Sequence, residues 1–256
     1  DNGIKVGDGE LVPMEHPTLN AYVDTHLIPG IKCRDDCKKY RTYISVLDED
    51  LHWFLAEHKI NNKSVLSGTT YIEMLRACVE HCKNLEKLIV EEIFFLEPMI
   101  VNKTREVRIL IGKYDNHMEF VIASGSSECG NLWVEHARGT VLVSCDMDPK
   151  KLDLHSLKES IGELEYVGGN LIFSSKSMQY GPRWRNIAEI RWGNDEGIAS
   201  VKLPEKYLDD MKEYRLHPAM LDTAVSFMEK RYAGNGDYLP FSFKNIRVYS
   251  GLESEV

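Results

Sequence analysis

Apolar side chains at Tyr71, Ile72, Leu75, Cys78, Val79 and Cys82 recur with a period near 3.6. That period predicts a helix over residues 70–85. Thr70 and Glu73 carry the spacing of a capping box at its start. A second helix is predicted from the run after Leu216-His217-Pro218, with Met220, Leu221, Ala224, Val225 and Met228 as its apolar face to about Lys230. Proline suits a first helical turn. Around these two helices the pattern is that of strands, rich in β-branched and aromatic residues. In the first half they fall at 40–47, 88–96, 107–114, 118–124 and 132–143. The 107–114 and 118–124 pair reads as a hairpin around Asp115-Asn116, and Glu128-Cys129-Gly130-Asn131 precedes the fifth strand. Residues 1–30, with prolines at 13, 17 and 29, are expected to form an edge strand and a covering loop.

From Asp146 the chain becomes polar and charged, with a short helix expected around 154–164. Strands are expected again at 166–173, 187–192 and 198–203, with turns at Tyr180-Gly181-Pro182 and Asn235-Gly236-Asp237. Residues 239–243 and 246–249 begin a further strand pair, and the sequence stops at Val256 part-way through this pattern. Each half thus places one helix among antiparallel-looking strands. That predicts an α+β unit repeated in tandem: 1–145, a linker at 146–165, and 166–256.

The 256 residues suffice for two modest cores. With 43% hydrophobic and 28% charged residues, the composition is that of a folded globular chain. No apolar run reaches the roughly 20 residues of a bilayer span, so no membrane association is expected. A net charge of −9 argues against general nucleic-acid binding, which rests on neutralising phosphates. The first residues, Asp1-Asn2-Gly3, offer neither an initiating Met nor a signal peptide, so the chain is expected to be excised from something longer.

Six cysteines, at 33, 37, 78, 82, 129 and 145, are too sparse for a disulfide scaffold. Cys33 and Cys37 lie among charged residues and are read as exposed thiols. Cys78 and Cys82 flank His81 on the first helix, a spacing that admits a metal. Their place on the apolar face with Leu75 and Val79 favours simple packing. A reduced, cytoplasmic setting is the simplest inference.

Candidate chemistry begins at His58. It follows the apolar run 53–56 and precedes the polar turn Asn61-Asn62-Lys63-Ser64, so it is expected in a loop that runs over the start of the first helix. A histidine beside apolar residues is more often merely packed. Asp222 sits early in the second helix, between Leu221 and Ala224. The plain reading is an acid favoured by the helix dipole. The sharper one is a carboxyl held in apolar surroundings, where the protonated form is favoured and can donate. A histidine from one half and an aspartate from the other would make an acid–base pair. Arg183 and Arg185, flanking Trp184, read as solvated strand-end side chains; the sharper alternative is contact with a phosphate.

Four motifs in order resemble the dehydratase domains of modular polyketide synthases over nearly the whole chain. The first is a His, a Gly four later and a Pro nine later, present as His58, Asn62 and Ser67. The second is intact as Tyr180-Gly181-Pro182. The third, an Asp after His-Pro-x-x-Leu with Gln or His four later, is His217-Pro218-Ala219-Met220-Leu221-Asp222 with Ser226. The fourth is Leu239-Pro240-Phe241-Ser242-Phe243.

The resemblance implies a double hotdog, each half a long helix wrapped by a curved antiparallel sheet. It implies a β-hydroxyacyl thioester carried on the phosphopantetheine of an acyl carrier protein, with no cofactor or metal bound by the domain itself. It implies neighbouring synthase domains and a homodimer as partners. By position His58 is the base and Asp222 the acid. Asn62, Ser67, Gly68, Tyr180, Gly181, Pro182 and Ser226 line the substrate. Backbone N–H groups after His58 and at the start of the first helix would meet the thioester carbonyl. Asn62 and Ser67 replace the family's glycine and proline, and Ser226 its amide or imidazole. Related double-hotdog domains shift a double bond with the histidine alone. Retention of Asp222 favours dehydration over that isomerase reading and over a non-catalytic scaffold.

Overall fold

The structure is a computed structural model that describes residues 10–31, 34–83, 87–125, 132–142, 149, 151–161, 163–171, 177–228 and 239–256, with the backbone alone over 163–171. Cys33, Cys129, Cys145, the turns at 128–131 and 235–237, and most of 146–150 lie outside the described residues.

Two compact units interleave along the sequence. One comprises 1–52, 74–145 and 240–249; the other comprises 53–73, 146–239 and 250–256. The expected division at 146–165 is thus crossed in both directions: the His58 segment groups with the second unit and residues 240–249 with the first.

The first unit holds an antiparallel eight-stranded sheet. Its strands are β1 (Val12–His16), β2 (Leu19–Val23), β3 (Lys39–Asp48), β6 (Leu88–Phe95), β7 (Thr104–Lys113), β8 (His117–Gly125), β9 (Trp133–Leu142) and β14 (Ser242–Val248). Their spatial order is β1-β2-β3-β7-β8-β9-β6-β14. The hairpin expected at 107–124 forms, with Val107 opposite Ser124. Met118, Phe120 and Ile122 alternate into one face. On the other face Ile28, Leu110 and Ala123 are buried together, with Ile31, Tyr40, Val121 and Trp133 packed against them. The amino-terminal segment supplies two strands rather than one, β1 at the edge and β2 between it and β3. The strand pair expected after Leu239 is a single strand, β14, which continues the sheet beside β6.

Helix α2 (Gly68–Lys83) confirms the strongest periodic prediction. Its start differs. Ser67 accepts the Thr70 amide on its side chain at 3.2 Å and on its carbonyl at 3.0 Å, so Ser67 is the cap. Glu73 lies one turn further in and is fully buried. Farther along α2, Cys78 is buried, and Tyr43 Oη donates to its carbonyl at 2.9 Å while lying 3.0 Å from His81 Nδ1 and from Cys82 Sγ. Burial pushes the Cys78 thiol well up. Among the described residues no cluster suited to a metal occurs, and these cysteines pack around a tyrosine. Cys37 is half-buried rather than exposed, its thiol near the carbonyls of Lys39 and Lys113.

The second unit holds α1 (Trp53–Ala56), α3 (Leu154–Ser160) and α4 (Pro218–Ser226), with two small sheets. One has the order β10 (Glu163–Leu171), β12 (Ile187–Trp192), β13 (Gly197–Val201). The other is β11 (Met178–Tyr180), β4 (His58–Ile60), β5 (Lys63–Ser64). Asp153 caps α3 by accepting from the amides of His155 and Ser156. The buried side of α4 is Pro218, Ala219, Met220 and Thr223, and Met220 packs with Val201 and Leu203. The apolar face expected through Ala224 and Val225 is instead exposed. No helix among the described residues is long and apolar enough to cross a membrane.

Candidate active site

His58 opens β4, the central strand of its sheet. The hairpin to β5 pairs Ile60 with Lys63 and leaves Asn61-Asn62 as a two-residue loop. Both have positive φ, 49° and 62°. A two-residue hairpin of this hand needs left-handed backbone at both central positions, and asparagine tolerates it better than most residues. The turn therefore forms without the glycine. The Asn62 side chain is exposed and its Oδ1 accepts from Gln179 Nε2 at 2.8 Å.

Beyond the hairpin the chain returns to His58. The Val65 amide donates to the His58 carbonyl at 3.1 Å, and His58 Nδ1–H donates to the Val65 carbonyl at 2.7 Å. A carbonyl can only accept, so the neutral ring carries its proton on Nδ1 and leaves Nε2 as a lone-pair base. The ring is 4% exposed.

Tyr180 pairs directly with His58 across β11 and β4, and the rings lie 5.4 Å apart. The Gly181 amide donates to the Glu57 carbonyl at 2.7 Å. A Cβ at Gly181 would fall 2.5 Å from Glu57 Cβ and 2.6 Å from its Oε2, so the position admits only glycine. Pro182 begins a 3-10 turn, Pro182–Trp184. In it the Arg183 amide donates to Glu57 Oε2 at 2.8 Å, while its guanidinium donates to Glu57 Oε1 and to Asp210 Oδ2, each at 2.6 Å. The Arg183 guanidinium also lies over the rings of Trp53 and Tyr207, at 4.4 and 4.0 Å. Burial pushes the Asp210 carboxyl up, but hydrogen bonds from His217 and Arg183 outweigh it and hold the group below the usual carboxylate range.

The turn delivers Trp184 to the site. Its Nε1–H donates to Asp222 Oδ2 at 2.8 Å. Asp222 stands on α4, whose cap is His217: Nδ1 accepts from the Met220 amide at 3.4 Å. The two amides preceding the cap, of Arg215 and Leu216, donate to Glu73 at 3.2 and 3.0 Å. These contacts aim Asp222 Oδ2 at His58 Nε2, 4.0 Å away. Thr69 Oγ1 lies 3.5 Å from Asp222 Oδ1 and 3.2 Å from the Pro218 carbonyl. A base and a carboxyl thus face each other across a gap too long for a direct hydrogen bond. That spacing suits groups acting on neighbouring carbons of one substrate.

Two family models match this chain. One, described as the polyketide synthase dehydratase domain, covers residues 31–125; the other, described as the polyketide synthase dehydratase N-terminal domain, covers 172–256. The chain belongs to the polyketide synthase dehydratase domains. Polyketide synthase PksN of Bacillus subtilis (strain 168) is 23% identical over 80% of this chain. PksM of the same organism is 24% identical over 94%. This chain spans only 4% and 6% of the length of those two relatives. Among solved structures, the dehydratase domain of the terminal rifamycin synthase module superposes with a TM-score of 0.79 at 20% identity, covering 96% of this chain and 86% of that one. The dehydratase domain from the CurF module of the curacin synthase gives 0.78 at 21%, over 94% and 86%. The fold is the double hotdog of these domains.

Within this dehydratase domain, the structure brings together His58, Tyr180, Gly181, Pro182 and Asp222. Ser67 and Gly68 sit at the start of α2, where Ser67 Oγ is 2.9 Å from Thr69 Oγ1 and 2.8 Å from Thr70 Oγ1. Ser226 is not delivered to the carboxylate: its hydroxyl donates to the Asp222 backbone carbonyl at 2.7 Å. Arg183 is enclosed by Glu57 and Asp210 and is neither solvated nor free for a phosphate; Arg185 is exposed. Sequence reasoning passed over Trp184 and Thr69. The trace of Trp184 in the sequence is an indole, with one N–H to place, two residues after an intact Gly-Pro turn.

Proposed function

We propose that this domain eliminates water from a β-hydroxyacyl thioester held on the phosphopantetheine arm of an acyl carrier protein, with His58 as base and Asp222 as acid. The observation that carries the reading is the pair itself. His58 Nε2, free of its proton because Nδ1 is tied to Val65, faces Asp222 Oδ2 at 4.0 Å. His58 takes the α-proton; the Cα–H electrons form the Cα=Cβ bond; the Cβ–O bond breaks as Asp222 protonates the departing hydroxyl. Both groups approach from one face, so the elimination is syn, and the α,β-enoyl thioester and water leave. Proton return from His58 to Asp222 resets the pair.

Negative charge on the thioester oxygen is assigned to amides at the start of α2. Thr70 and Tyr71 donate to Ser67, while Gly68 lies in the first turn, where an N–H has no acceptor within the helix. Solved structures of the curacin-synthase CurK dehydratase include one histidine-to-phenylalanine and one aspartate-to-asparagine inactive mutant, which accords with a two-group mechanism. In this reading the domain binds no cofactor of its own. It works in the cytoplasm beside other synthase domains and as a homodimer.

The test is mass spectrometry of a carrier-bound β-hydroxyacyl thioester after incubation with the domain. Loss of 18 mass units, about the mass of one water, is expected, falling by roughly 100-fold or more in His58→Ala and in Asp222→Asn. Water loss that persists in both variants overturns the assignment. Exchange of α-protons on an enoyl thioester in heavy water, without water loss, would instead mark a double-bond isomerase using His58 alone. Neither reaction would leave a carrier-positioning scaffold.

A further inference from the structure

The acid of a two-group elimination must present a chosen oxygen to the leaving hydroxyl. A carboxyl on a helix turns freely about its terminal bond unless something holds it. Among the described residues four groups could hold Asp222. Ser226, one turn on, donates to the backbone instead. Thr69 has a single hydroxyl proton, and the Pro218 carbonyl at 3.2 Å competes for it against Asp222 Oδ1 at 3.5 Å. His58 Nε2, at 4.0 Å, is beyond hydrogen-bond reach. That leaves Trp184, whose Nε1–H meets Oδ2 at 2.8 Å.

The indole is itself immobile. It is 3% exposed, stacks on Tyr180 at 5.8 Å and 20°, and lies 5.6 Å from the His58 ring. Its backbone is fixed by the 3-10 turn, which Arg183 ties to Glu57 and Asp210.

We infer that Trp184 is the positioning residue of the acid–base pair: one rigid side chain hydrogen-bonds the acid and packs against the base, so it sets the gap between them. The inference rests on the dehydratase reading. In this chain the indole does the work that a longer amide or imidazole at Ser226 could do from the same helix face as Asp222. An indole N–H only donates, so Trp184 holds the carboxyl without taking or supplying the proton.

The test uses Trp184→Phe, which keeps an aromatic ring against Tyr180 and His58 and removes the N–H. The kcat for water loss from the carrier-bound substrate should fall about 10–100-fold, as for loss of a hydrogen bond to a carboxylate, with KM changed less than about threefold. The second arm is the indole N–H resonance of Trp184 in the ¹⁵N spectrum, assigned in the wild-type protein by through-space contacts to the Tyr180 ring stacked on it. It should move on Asp222→Asn, and it reads the wild-type fold whether or not the phenylalanine variant is stable. A folded Trp184→Phe protein with kcat within about threefold of wild type overturns the inference, as does an indole resonance indifferent to Asp222→Asn. Wild-type protein that eliminates no water would overturn the dehydratase reading, while the resonance would still decide whether Trp184 holds Asp222.

Discussion

Gly181→Ala adds one methyl group to the turn beside the proposed base. The backbone there has φ −85°, ordinary for alanine, so the whole cost is steric. The new carbon falls 2.5 Å from Glu57 Cβ and 2.6 Å from Glu57 Oε2. A Cβ cannot swing aside as a side-chain tip can, and the Glu57 carbonyl is bound to the Gly181 amide at 2.7 Å. Relief requires Glu57 to shift, which strains its hydrogen bonds to the Arg183 amide and guanidinium, at 2.8 and 2.6 Å. Overpacking costs about 1–3 kcal/mol, and loss of one hydrogen bond to a charged group about 1.5–3 kcal/mol. The sum is about 2.5–6 kcal/mol, an upper range because the turn can relax. Urea unfolding of wild type, Gly181→Ala, Glu57→Ala and the double variant gives a thermodynamic cycle. With Glu57 truncated beyond Cβ, Gly181→Ala should cost at least 1 kcal/mol less, by the arithmetic of the lost Cγ and carboxylate contacts. A cost below about 0.5 kcal/mol in the wild-type background, or an identical cost in both backgrounds, refutes the packing argument.

Asp210 supplies a pH prediction. Its folded carboxyl titrates below the ordinary value of 3.8, so its contribution to stability is complete above that value and is lost as pH falls through the folded one. Asp210→Asn should therefore flatten the loss of thermal stability below about pH 4, while lowering stability near neutrality. Ser226→Ala should leave water loss within about threefold of wild type, because the hydroxyl serves a backbone carbonyl rather than the carboxylate; carrier-bound turnover checks it. Asn62→Ala should destabilise the protein by about 1 kcal/mol through its φ of 62°, and Asn62→Gly should recover most of that loss in thermal unfolding.

That His58 sits on strand β4 rather than in the expected loop was hidden, because β11 pairs with it from far along the chain; its motif position, like that of Asp222, was legible because it lies in a short local pattern. Helix α2 was legible for the same reason: its apolar period is sustained over four turns. The cap was not, because Ser67-to-Thr70 and Thr70-to-Glu73 share one spacing. What decides between them is the need of the Arg215 and Leu216 amides for an acceptor, which Glu73 supplies from far along the chain. The fate of Arg183 was hidden likewise. Its partners Glu57 and Asp210 are distant in sequence, and a charged residue beside a turn reads as solvated until they are known. Val225 shows the converse error, an apolar residue at helical spacing that stays 45% exposed. Asn62 can stand in for the family's glycine because the strain of a positive φ is a local property that asparagine tolerates.

The central position of β4 also bears on how the chain emerges from a ribosome. Its neighbour β5 follows at once, but its other neighbour, β11, follows more than a hundred residues later. At about 5–20 residues per second, the strand carrying His58 spends on the order of ten seconds as the open edge of a two-stranded hairpin. Such a pair is only marginally stable alone. The histidine therefore gains its partner Tyr180 and its proposed acid Asp222 late, and the nascent chain passes the whole interval from β5 to β11 with the proposed base in an unfinished strand.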